Sequence, residues 1–156
     1  MNDLLRNRIE RVRATLRADP NGIVIGDLPA GCSAIPAPLQ QYQQLAEFLR
    51  LTDGARCGGF DFLALEDLDR VQYVTDSLPG GRQRWLAFGQ ALYVPLLLDR
   101  TTQLVHEADQ DNPEEVGRCF GTFDDLLERI FGSGYREALR IEDDGWYQLL
   151  RFLEMA

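Results

Sequence analysis

Apolar residues first recur with helical spacing. Leu5, Ile9, Val12 and Leu16 step by 4, 3 and 4, while Arg6, Arg8, Arg11, Arg13 and Arg17 fall mostly off that stripe. Asp19-Pro20-Asn21-Gly22 breaks the pattern, which predicts an N-terminal helix within residues 1–19. The β-branched run Ile23–Ile25 reads as an edge strand, and residues 26–38, with Pro29, Gly31, Pro36 and Pro38, read as a loop. Leu39, Tyr42, Leu45 and Leu49, widened by Phe48, then predict a second helix over residues 38–51. Gly54 offers it a left-handed stop.

The period next changes to two. Phe60 and Phe62 alternate with Asp61 and Leu63, predicting a strand over residues 58–65. Residues 65–78 suggest a short helix or irregular turn, and Pro79-Gly80-Gly81 a break. Three strands follow over residues 85–89, 92–99 and 103–107, the last two forming a hairpin through Asp99-Arg100-Thr101-Thr102. Residues 107–117 are polar and acidic, a surface loop. Thr122 with Asp125 three residues on forms a capping-box variant before the apolar face of Phe123, Leu126, Leu127, Ile130 and Phe131. Trp146, Leu149, Leu150 and Leu153 give the inward stripe of a C-terminal helix within residues 143–154. Strands consecutive in sequence and joined by short connections imply an α+β fold: a mainly antiparallel sheet of about four to six strands flanked by helices, as one domain over residues 1–156.

Composition narrows the chemistry. The net charge is −9, from 25 acidic and 16 basic residues, which disfavours nucleic-acid and anionic-lipid binding. Every basic residue is arginine, which removes lysine Schiff bases and lysine-bearing phosphate loops. His106 is the one histidine, and Cys32, Cys57 and Cys119 form no C-x-x-C pair. Spacings of 25, 49 and 13 residues along Cys32, Cys57, His106 and Cys119 are unlike those of structural zinc sites, so no metal or other cofactor is expected. The longest apolar run, Ala91–Leu98, has eight residues including Pro95, short of a membrane span. With no apolar signal stretch at the start, the expected location is cytoplasmic.

Two arrangements remain. Residues 99–128 hold nine acidic residues against two arginines, a net of −7, with Asp109, Asp111, Glu114 and Glu115 in one loop. Such a stretch reads either as a solvated, self-repelling loop or as a patch that steers a basic protein partner. The other arrangement is a thiol hydrolase using Cys57 or Cys119 with His106, though none of the three sits in a local nucleophile signature.

The order of motifs carries a resemblance. The run Ala46–Gly54, the strand Phe60–Leu65 with Glu66-Asp67-Leu68, then Trp85-Leu86-Ala87-Phe88-Gly89, Leu97–Thr102 with Val105, and Phe120–Leu127 together resemble the SUKH superfamily of SMI/KNR-type proteins. The likeness runs over residues 36–135, and the tail from Tyr135 to Tyr147 is similar to bacterial members. The resemblance implies an α+β domain without catalytic residues. It also implies a role as an immunity protein that binds and neutralises a cognate toxin domain of nuclease or deaminase type, or alternatively as a regulatory scaffold. On that reading the partner is a basic toxin protein, with Asp109, Asp111, Glu114 and Glu115 as rim charges and Trp85 and Tyr93 near the contact face.

Overall fold

Residues 1–112 and 114–156 are described by the computed structural model, in which seven strands pair in chain order into one antiparallel sheet. The strands are β1 (Gly26–Asp27), β2 (Ala55–Cys57), β3 (Phe60–Phe62), β4 (Trp85–Ala91), β5 (Val94–Asp99), β6 (Leu104–Ala108) and β7 (Val116–Thr122). The helices are α1 (Asp3–Ala18), α2 (Gly22–Ile25), α3 (Ala37–Gln40), α4 (Gln43–Leu51), α5 (Leu68–Val71), α6 (Gly81–Arg84), α7 (Phe123–Ile130), α8 (Tyr135–Leu139) and α9 (Gly145–Phe152). Single 3₁₀ turns at Leu65–Asp67 and Gln72–Thr75 flank α5. The α+β class is the expected one, with more strands than the about four to six that alternation alone suggests.

The differences have local causes. Ile23–Ile25 forms the helical turn α2, and the edge strand begins at Gly26. A Cβ on Gly26 would lie 2.6 Å from the Trp146 ring and 2.6 Å from the Arg56 carbonyl oxygen, so only glycine can bring the chain to the sheet there. The expected strand over residues 58–65 is the end of a hairpin. Gly58, at φ +61°, turns β2 back onto β3. The helix expected over residues 38–51 breaks at Gln41–Tyr42, where Tyr42 is buried and its hydroxyl accepts a 2.9 Å bond from Arg100. The acidic stretch is shorter than expected, because β7 already starts at Val116. The capping box forms: Asp125 N donates to Thr122 Oγ1 (3.2 Å) and Thr122 N to Asp125 Oδ2 (2.7 Å).

The sheet buries its two faces unequally. Leu86, Phe88, Leu96, Leu98, Val105 and Phe120 face the helical layer and join the large core. Phe48 of α4, Phe62 of β3, Phe88 of β4 and Phe123 of α7 meet there, with ring centroids 4.9 to 6.1 Å apart. The pairing register skips Phe88, a bulge that sets Gly89 opposite both Phe62 and Leu96. On the outer face a small second core gathers Trp85, Ala87 and Leu97 under Leu78, with Val71 and Val74 packed alongside.

Arg13 is a buried cation holding three chain segments together. Its side chain is buried on α1, one step off the apolar stripe. It donates to the carbonyls of Leu28 (3.0 Å), Pro29 (3.2 Å) and Leu51 (2.5 Å) and pairs with Glu10 (2.7 Å). Arg13→Met takes the donor from those largely buried carbonyls, and is expected to cost about 2–4 kcal/mol of unfolding free energy. Arg17→Met on the exposed face of the same helix should stay within about 0.5 kcal/mol, both read from urea unfolding. Equal, small effects would show that Arg13 is not a brace.

Candidate protein-binding surface

Because the meander alternates ends, the connections β2–β3, β4–β5 and β6–β7 lie together at one end of the sheet. Leu92 N donates to Gly59 O (2.9 Å), tying the first two together. A cleft of about 60 Å³ between Leu92, Gln110, Arg118 and Leu139 joins them to the third and to α8. This end carries Tyr93 and the acidic loop, two of the features singled out from sequence.

The β4–β5 connection is a two-residue turn, since Ala91 pairs with Val94. Its central residues, Leu92 (φ +47°) and Tyr93 (φ +74°), both have left-handed backbones, the φ signature of a type I′ turn. That turn favours Asn-Gly, and bulky residues there carry about 1–3 kcal/mol of strain each. The side chains do little to offset this. Tyr93 is 89% exposed and Leu92 47%, with Leu92 resting against Gly59.

The nine acidic residues of 99–128 divide sharply once placed. Asp99 is buried: burial alone would raise its pKa, but the N–H groups of Thr101 (2.8 Å) and Thr102 (3.2 Å) and the Arg84 guanidinium (3.1 Å) outweigh it and hold the carboxyl below its usual range. Glu107 faces Arg118 (3.3 Å) and Arg140 (3.4 Å). Asp124 faces the Met1 amino group (3.0 Å), Asp125 completes the capping box, and Glu128 accepts from Asn2 (3.2 Å). Asp109 is half-buried and accepts from the N–H groups of Asp111 (2.9 Å) and Asn112 (2.9 Å), so it shapes the loop. Asp111, Glu114 and Glu115 remain exposed, paired with no cation among the described residues.

Trp85 corrects the reading that placed it near a contact face. It is 2% exposed, lies at the opposite end of β4 and donates from Nε1 to Pro79 O (3.0 Å), with Arg84 over its ring at 4.7 Å. Leu92 went unnoticed because the turn contains no glycine, asparagine or aspartate and sits inside a continuous apolar run.

The thiols separate as well. Cys57 is fully buried, and burial, then the nearby Asp61 charge, push its pKa well above the ordinary value. Burial, then a hydrogen bond with Asp53, push the Cys32 thiol up to about 11. Cys119 is exposed, and the register sets it opposite His106 on the outer face. His106 is committed elsewhere: its ring stands edge-on to Trp85 at 5.5 Å, and its buried Nδ1 has no partner. The groove beside Cys119 is lined by Phe120, Gly121, Asp125, Glu128 and Arg129, away from the imidazole. Among the described residues no group of three or more His, Cys, Asp or Glu could hold a metal ion, and no helix is long and apolar enough to cross a membrane.

The chain matches no protein-family model, and no curated protein matches it.

Two measurements check this geometry. Replacing Leu92-Tyr93 by Asn-Gly removes the strain and should stabilise the fold by about 1–2 kcal/mol in urea unfolding. A loss of stability would show that Leu92 packing outweighs strain. Burial lowers the His106 pKa, the Arg84 charge adding to this while Asp99 and the Gly117 backbone oppose it. The unfolded chain therefore takes up this proton first, and stability from this group is full above about pH 6.5 and falls as the pH drops through that value. The single imidazole should titrate below about 6.5 by NMR, and His106→Leu should flatten the acid slope. A midpoint at or above that value would contradict the burial argument.

Proposed function

We propose that this protein is a non-catalytic binding domain of SUKH type that neutralises a basic toxin protein of nuclease or deaminase activity. The observation that carries the reading is the exposed, left-handed Leu92-Tyr93 turn beside the three uncompensated acids Asp111, Glu114 and Glu115. Strain kept at a surface position with little packing to offset it is a hallmark of a working site. An exposed tyrosine next to a charged rim is the composition of a binding hot spot with its steering field. The motif resemblance supplies the toxin-neutralising role, and the α+β meander is compatible with it. The thiols support the same choice of class, since two are raised in pKa, and the imidazole that the register sets opposite the exposed third packs edge-on to Trp85 with no hydrogen bond to that thiol among the described residues.

Co-expression with the product of the adjacent reading frame tests the proposal, scored by growth rescue and co-purification. Rescue with a stable complex is expected. Tyr93→Ala should weaken that complex by about 2 kcal/mol, seen as faster dissociation. The triple change Asp111→Asn, Glu114→Gln, Glu115→Gln should slow association about three- to tenfold at low salt and lose its effect at high salt. Turnover of a small molecule by the purified chain, or rescue indifferent to both variants, would overturn it.

A further inference from the structure

We infer that the outer face of β1–β5 is a second docking groove, built for an extended peptide segment that carries arginine beside aliphatic side chains. This rests on a different part of the molecule from the hairpin end and does not depend on it.

The segment between β3 and β4 packs on the outer face over Trp85, Ala87 and Leu97. Beside that cover lie two adjoining depressions of about 400 and 210 Å³ that share Asp61 and Leu63. The larger is lined by four carboxylates, Asp27, Asp53, Asp61 and Asp67, against one guanidinium, Arg56. The smaller is apolar, formed by Leu63, Val71, Val74, Gly89 and Pro95, with Tyr73 at its rim, 66% exposed. The register lines up Asp27, Arg56, Asp61, Gln90 and Pro95 across five neighbouring strands. At about 4.8 Å per strand that row is about 19 Å long, the length of about six extended residues.

Charge and polarity select the occupant. Arg56 already donates to the Ile23 carbonyl, and Asp67 pairs with Arg70 (3.0 Å). Asp61 uses one oxygen on Gln90 (3.1 Å), and Asp27 has no partner among the described residues. An incoming guanidinium meets either the Asp27 carboxylate or the second oxygen of Asp61, which stand on the two sides of Arg56, in a charge-assisted pairing. An acidic segment is repelled. A wholly apolar one would cover aspartates without pairing them, which costs free energy. The apolar half requires an aliphatic neighbour to the cation, so a purely polar basic peptide leaves that half unfilled.

The probe is a synthetic alternating Arg-Leu heptapeptide, compared with Arg-Ser and Glu-Leu counterparts by amide NMR on the intact chain. The Arg-Leu peptide should shift Asp61, Leu63, Tyr73, Val74 and Gln90, and bind about fivefold or more tighter than Arg-Ser. Asp27→Asn, exposed, with Asp61→Asn, half-buried and still able to accept from Gln90, should weaken it about tenfold. Tyr73→Ala should weaken it as well, while Asp111→Asn with Glu114→Gln should not. Shifts centred on the acidic loop, equal binding of Arg-Ser, indifference to the Asp27/Asp61 variant, or self-association of the chain through this face would each overturn the groove. None of those results bears on the toxin complex.

Discussion

Four phenylalanine rings hold the two layers of this protein in register. Phe48 and Phe123 come from helices, Phe62 and Phe88 from neighbouring strands, and each ring touches at least two of the others. Edge-to-face pairs at these spacings add about 0.5–1.5 kcal/mol each beyond area burial. The constraint they impose is geometric. Phe88 follows Leu86 onto the core face by simple alternation, the bulge at Phe88 resets the register after it, and the close approach of β3 requires glycine next, since a Cβ on Gly89 would lie 2.4 Å from the Asp61 carbonyl oxygen. One face of the sheet is thereby committed to the helices. The other keeps only the small cover over Trp85 and Leu97, which leaves its first strands and one end open.

Elements whose burial repeats at a fixed period were legible from the chain alone. The stripe Leu5, Ile9, Val12, Leu16 is buried as expected, the capping box at Thr122 forms, and Val105 and His106 point to opposite faces. Short elements were not legible, because two or three residues cannot display a period. β1 exists only because Gly26 can approach Trp146, and β2 because Gly58 adopts a left-handed turn. β7 escaped because its burial does not alternate cleanly, with register shifts on either side of its central pair, Cys119 with His106 of β6.

The surface at the hairpin end was half legible. Tyr93 and the acidic loop are visible as residue types, but their adjacency follows from the strand count, since only a meander sends both connections to one end. Leu92 was hidden because its turn breaks the residue rule that would have announced it. Asp109 has a second task that residue type alone does not show: an aspartate two residues before a loop N–H is as suited to closing an Asx turn as to facing solvent.

Every cationic side chain of the protein is an arginine, and several of the sixteen are built into the contacts of the fold itself. Arg13 forks to three carbonyls, Arg84 lies over Trp85 and pairs with Asp99, Arg100 lies over Tyr42, and Arg118 stacks on Phe120 while donating to α8 carbonyls and to Glu107. Each role needs a planar, multidentate, always-charged group, which an ammonium does not supply. Arg118 and Arg140 face Glu107 and leave Asp111, Glu114 and Glu115 without a paired cation among the described residues, while Arg56, inside the Asp27–Asp61 row, donates to the Ile23 carbonyl. The same residue choice that braces the helices, strands and loops therefore sets the sign of both open surfaces.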